Sequence, residues 1–286
     1  MARAAARAPR VVAAGDGGCC TVSKHCPLTA IAPRVQIHHF RSVSTSVRSH
    51  FAFGMVDPLS DAKIIDSWQR NAAPWSNAVR EQQIESRRLV TDEAVLDAVV
   101  RRMPGTVLDI GCGEGWLARA LTARGIRTTG VDAVPALIDA ARAASGGTGD
   151  YRVATYEAIV AGALDEGEQT QRFDVAVANF SLIGHDAVDG LVRHVTRLLA
   201  PGGHFIVQTL HPATARGDLP YVDGWRHGSW AGFSADFTDP APWYFRTLES
   251  WVALITESGL YLRELREPVH PVTGNPASLL LVAAVR

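Results

Sequence analysis

The 286-residue chain has no apolar run approaching the roughly 18 residues needed to cross a bilayer, which argues against an integral membrane protein. Cysteine is scarce. Three of the four residues crowd at Cys19, Cys20 and Cys26, and four in a chain this long do not make a disulfide scaffold. Net charge is nearly absent, with 28 Lys+Arg against 29 Asp+Glu, so the overall balance gives no support to nucleic acid as a partner. What remains is 47% hydrophobic and 20% charged, the balance of a globular protein. At about 100–200 residues per domain, that is one large domain or two small ones.

Acid is what the first 56 residues lack. They hold seven basic residues and one acidic residue, Asp16, and show no sustained helical or strand periodicity. They are expected to be a disordered extension. One reading is a transit peptide, Arg- and Ser-rich and poor in acid, which would make the protein mitochondrial or plastidic. The other is an over-extended reading frame with Met55 as the true start, leaving a cytoplasmic protein. The Cys-Cys pair, the scattered Pro and the length fit the second slightly better. Cys19, Cys20, His25 and Cys26 lack the paired spacing of a zinc site, and no metal is expected. The fold argument therefore runs over 57–286.

From Asp57 the pattern becomes regular. Residues 63–88 read as two short helices broken by Pro74, with Trp68 and Trp75 seven apart. Thr91 or Asp92 is expected to cap a helix reaching about Arg102, stopped by Pro104-Gly105. Strands are predicted at 106–110, 126–131, 151–154, 173–178 and 203–209. Helices are predicted at 115–124, 135–144, 187–199 and 247–258. Strands alternating with helices imply a parallel sheet covered on both faces. The last two strands, 260–267 and 278–285, are joined by about ten Pro/Gly-containing residues. That is too short for a parallel crossover, so they should form an antiparallel hairpin. The fold class is α/β, a doubly wound, Rossmann-like sheet closed by that hairpin.

The strongest chemical signal is Val107-Leu108-Asp109-Ile110-Gly111-Cys112-Gly113-Glu114-Gly115-Trp116-Leu117. It gives a strand, an acid near its carboxyl end, three alternate glycines and a helix start. Glycines there let the backbone turn sharply and approach a ligand closely, at the strand ends beside a helix N-terminus. Trp116 stands where the dinucleotide fingerprint needs its third glycine, which counts against an NAD-dependent reductase. Asp132 ends the second strand, 21 residues after Gly111, where an acid can accept hydrogen bonds from both hydroxyls of a ribose. The plainer reading is a helix cap before Pro135.

With these motifs, residues 57–286 resemble the class I S-adenosylmethionine-dependent methyltransferases, near the bacterial small-molecule enzymes of the ubiquinone-biosynthesis type. The resemblance implies a seven-stranded sheet and S-adenosyl-L-methionine as cofactor. It places Asp109, Gly111, Cys112 and Gly113 against the methionine part. Asp132, followed by Ala133, falls at the ribose, and Tyr156 and Glu157 flank the adenine. Asn179 and Phe180 fall under the sulfonium. Leu199-Ala200-Pro201-Gly202-Gly203-His204 matches the turn before the fifth strand. The helices carrying Trp68 and Trp75, within 57–90, would form a lid over the cofactor, with both tryptophans expected to contact the acceptor.

Departures narrow the class. Asn179-Phe180-Ser181-Leu182 is not the Asn/Asp-Pro-Pro-aromatic loop of exocyclic-amine methyltransferases, and no basic stripe supports an RNA substrate. No acidic cluster matches the metal-dependent catechol type. Residues 211–246 hold eight of the chain's 21 aromatics in 36 residues. That insertion is expected to line an acceptor pocket through Tyr221, Trp225, Trp230, Tyr244 and Arg246, or else to pack as a cap on the sheet. Trp251 is expected in the core. His211, after the fifth strand, and His185, after the fourth, are the candidate general bases, though a lone His is more often structural. The expected partner is a small-molecule methyl acceptor, and the protein a monomer or homodimer. The rival readings are a cofactor- or nucleoside-binding module without turnover and the NAD-dependent reductase.

Overall fold

Seven strands form one sheet in the computed structural model, its centre built from near-continuous apolar runs that must be covered on both faces. The model describes residues 57–166 and 169–285, all within the unit Phe53–Arg286. The readings made for residues 1–56 lie outside the described residues.

The strands are β1 (Thr106–Ile110), β2 (Arg127–Asp132), β3 (Asp150–Val153), β4 (Phe173–Asn179), β5 (Leu199–Thr209), β6 (Tyr261–Arg266) and β7 (Leu279–Ala284), in the spatial order β6-β7-β5-β4-β1-β2-β3. β1 to β5 run parallel. β7 is antiparallel to both β5 and β6, as the short connector requires. Along β4, Val175 and Val177 join the apolar cluster on one face, while Ala176 and Ala178 join the other. β7 is buried at every position, and Trp251 lies in the core at 3% exposure. Strand order reverses between β1 and β4, which opens a crevice at their carboxyl ends.

The helices are α1 (Asp61–Arg80), α2 (Asp92–Val100), α3 (Trp116–Thr122), α4 (Pro135–Ala144), α5 (Tyr156–Val160), α6 (Asp186–Leu198) and α7 (Leu248–Glu257). Two expectations are corrected. Residues 61–80 form one helix that passes through Pro74. An interior proline costs about 3 kcal/mol, but Trp68, Ala72 and Trp75 pack this helix against Val134 and Leu137 beside α4. Tertiary packing outweighs the local break. Thr91 is no cap. It has helical dihedrals, makes no capping bond, and closes a single π turn, Arg87–Thr91, that feeds into α2. Such turns recur at functional sites. The short α5, capped by Thr155 accepting from the Ala158 N–H, was not among the predicted helices.

Candidate functional site

The glycine loop between β1 and α3 forms the floor of the crevice. Gly111 has φ +71°, and a Cβ there would stand 2.2 Å from the Ser181 Cβ. Gly115 has φ +81°, and its Cβ would stand 2.8 Å from the Tyr151 ring. Neither position tolerates a side chain. Asp132, at the end of β2, accepts from the Gly113 N–H with Oδ2 (2.9 Å) and from the Val134 N–H with Oδ1 (2.9 Å). It thus orients the loop and the start of α4 together.

Asp109 is 2% exposed. Burial, and then the neighbouring Asp132 charge, push its carboxyl up to about 7, and its Oδ2 has no hydrogen-bond partner. Burial likewise pushes the Cys112 thiol up. That side chain packs with Ala118, Ile138, Ala141 and Tyr151, as an inert spacer would.

β4 delivers the opposite wall. Phe180 takes φ +55°, a strained conformation for a non-glycine residue. It is held there by its N–H donating to the Gln208 carbonyl (2.7 Å). Next to it, the Ser181 hydroxyl donates to the Ile110 carbonyl (2.6 Å), and the Tyr156 hydroxyl to the Ser181 carbonyl (2.9 Å). Burial pushes the Tyr156 phenol up, so it stays a donor.

α1 forms the roof. Asp61 accepts from the His185 N–H (2.8 Å) and the Ala187 N–H (3.0 Å), pinning its carboxylate at the N-terminus of α6. At the other end of the helix, Arg80 pairs with the buried Glu114 of the glycine loop (3.3 Å). The 211–246 insertion braces the outside. Asn71 and Thr238 exchange two hydrogen bonds (2.7 and 2.9 Å), Lys63 pairs with Asp239, and Trp230 meets Trp68 edge-on at 5.7 Å.

Together these elements enclose a cavity of about 190 Å³. Gly111, Gly113, Asp132, Ala133, Tyr156, Glu157, Asn179 and Phe180 line it, with Trp68 and Trp75 overhead. Its carboxylates are Asp61, Asp132 and Glu157. Among the described residues, none of those lining it is Lys, Arg or His. An aromatic, anionic chamber over a glycine loop suits a ligand that carries positive charge.

A family model described as a methyltransferase domain matches residues 82–265. A ubiquinone biosynthesis O-methyltransferase from Methylobacterium sp. (strain 4-46) is 31% identical over 189 residues, 59% of this chain and 73% of that protein. One from Xylella fastidiosa (strain 9a5c) is 35% identical over 127 residues, 42% of this chain, which spans about half (49%) of that relative's length. The chain belongs to the class I S-adenosylmethionine-dependent methyltransferases. Among solved structures, an S-adenosylmethionine-dependent methyltransferase from Mesorhizobium loti shares the fold, with TM-score 0.51 and 24% identity over 67% of this chain and 96% of that one. The Burkholderia thailandensis 1,6-didemethyltoxoflavin-N1-methyltransferase, solved with 1,6-didemethyltoxoflavin and S-adenosylhomocysteine, does so with TM-score 0.56 and 19% identity over 82% and 92%.

Not every residue singled out in this methyltransferase reaches the cavity. Asp109 and Cys112 lie buried outside its lining. His211 is 6% exposed and off the cavity. Its Nδ1 accepts from the Ala213 N–H (3.3 Å), which puts the neutral ring's proton on Nε2, facing Glu267 at 2.7 Å. The ring is a cap with both nitrogens engaged. His185 pairs with Asp186 (2.9 Å) and stacks on Tyr244 at 4.1 Å, while its neighbours Ile183 and Gly184 line the cavity.

The insertion's aromatics turn to packing. Trp230 lies behind Trp68, Trp225 meets Tyr244 at 5.6 Å, and the Tyr221 hydroxyl accepts from the Leu248 N–H at the start of α7. Arg246, its side chain 3% exposed, is fully engaged by the Gly184 and His185 carbonyls and by Asp189 (2.6 Å). Of the acceptor-site candidates, only Trp68 and Trp75 line the cavity.

Two residues were missed. Asp61 looks like an ordinary first-turn acid until its partners 124 and 126 residues away are known. Arg87 sits 4.8 Å from the Trp116 ring and 6.0 Å from Trp75, paired with Asp92 (2.9 Å). Its only sequence signal is its place shortly before the glycine strand.

Proposed function

We propose that the protein transfers the methyl group of S-adenosylmethionine to a small molecule whose nucleophile enters between Phe180 and α1. The observation that carries this reading is the cation-suited chamber directly over the glycine loop, with the Asp132 carboxylate oriented by two backbone N–H groups. The cofactor supplies an electrophilic methyl on a sulfonium. Asp132 takes the ribose hydroxyls, Gly111 and Gly113 admit the methionine chain without a Cβ in the way, and Ala133, Tyr156 and Glu157 flank the adenine. Asn179 and Phe180 lie beneath the reacting centre, and Asp109 is buried behind the loop. α1 acts as the lid, with the 211–246 insertion as its outer brace.

Methyl transfer to a nucleophile with a free lone pair needs alignment and exclusion of water more than proton transfer. The absence of both histidines from the lining fits an acceptor that arrives deprotonated or loses its proton to solvent. Aromatic walls favour a flat, partly apolar acceptor. The curated relatives are named as O-methyltransferases, which makes phenolic oxygen the first nucleophile to try.

The test is transfer of labelled methyl from S-adenosylmethionine to matched phenols, anilines and N-heterocycles, with Asp132→Ala as the blank. Labelled product from the wild type alone supports the reading. Cofactor binding with no product across the panel favours the binding module, which the self-packed Trp230-Phe233-Phe237 cluster of the insertion also suits.

A further inference from the structure

Gln208, on β5, is a polar side chain at 1% exposure inside an otherwise apolar sheet. Its Nε2 donates to the Thr91 carbonyl (2.8 Å) and to Asn179 Oδ1 (2.8 Å), and its Oε1 faces the Ser278 hydroxyl at 3.4 Å. The polarity of this chain is fixed from one end. A backbone carbonyl can only accept, so Gln208 must turn its amide NH2 toward Thr91. The second hydrogen of that NH2 then meets Asn179, which must answer with oxygen. The Asn179 Nδ2 is left on the opposite side, with no hydrogen-bond partner among the described residues, on a residue that lines the cavity. Reversing Gln208 would set acceptor against acceptor at Thr91 and Asn179, and reversing Asn179 would set donor against donor, leaving buried groups unpaired in either case.

The cofactor's carboxylate needs such a donor. Three of the glycine-loop amides are already engaged, those of Gly111 and Cys112 by the Val131 carbonyl and that of Gly113 by Asp132. Thr91 belongs to the same π turn as Arg87, whose guanidinium pairs with Asp92 and lies outside the cavity lining. We propose that Gln208 is a positioning residue that fixes the Asn179 carboxamide with Nδ2 toward the cavity, where it donates to the carboxylate of the cofactor's methionine portion. This rests on the cofactor reading given above.

The experiment compares S-adenosylmethionine with its decarboxylated form by calorimetric titration of the full chain. Asn179→Asp keeps an oxygen for Gln208 and replaces the cavity-facing donor with a second oxygen. It is expected to weaken S-adenosylmethionine by about tenfold or more, the worth of a charge-assisted hydrogen bond, while the decarboxylated ligand binds as well or better. Gln208→Met, of similar length and apolar, should lower the same ratio through a rotating Asn179 while leaving the decarboxylated ligand unchanged. Equal effects on the two ligands in both variants, or none on S-adenosylmethionine, overturn the inference. A folded wild type that binds neither ligand overturns the cofactor reading itself.

Discussion

Asp109 holds a carboxyl that burial and Asp132 push up to about 7, against about 3.9 for the unfolded chain. Between those values the unfolded state gives up its proton and the folded state keeps it, so stability falls as pH rises from about 4 to 7 and levels off above. Asp109→Asn removes the titration at nearly constant shape. In chemical denaturation at several pH values, the variant should lose this downward slope and exceed the wild type at pH 8 by an amount on the order of 3 kcal/mol. Parallel pH profiles would refute the assignment. At this scale the cavity lining was legible where it is local: Gly111, Gly113 and Asp132 share one strand–turn–helix unit and its neighbour. It was not legible for His211, whose position after β5 looked right while Glu267 and the Ala213 N–H engage its ring.

Among elements, the central strands were readable because burial on both faces leaves a continuous apolar signature, and the β6–β7 hairpin because its connector is too short to cross over. Local signals misled where packing overrode them. Pro74 marks a break in isolation, yet α1 stays whole against Val134 and Leu137. Thr91 looks like a cap, yet its carbonyl is held by Gln208 within a continuous helical path. The attachment of α1 to α6 depends on Asp61. Asp61→Ala leaves the His185 and Ala187 N–H groups without their carboxylate, and should cost about 1–3 kcal/mol. Amide exchange should quicken in α1 and at His185 while the amides of β1 stay protected. Unchanged exchange at those sites would show that the insertion alone holds the roof.

Across the whole molecule, the chamber is assembled from segments far apart in sequence. A floor drawn from 111–137, a wall from 155–188 and a roof from 61–75 meet where strand order reverses. The insertion braces the roof from outside through Asn71–Thr238 and Trp68–Trp230. Aromatics in a long loop serve packing and recognition equally well, so only tertiary contacts separate the two roles. Among the described residues, no helix is long and apolar enough to cross a membrane.

Asp132 is where the floor, α4 and the proposed cofactor meet, so one titration tests the account most directly: S-adenosylhomocysteine into the full chain and into Asp132→Ala. The account predicts a wild-type Kd near or below about 10 μM, weakened by about a hundredfold or lost in the variant. A folded wild type that shows no binding, or equal binding by the two proteins, would contradict it.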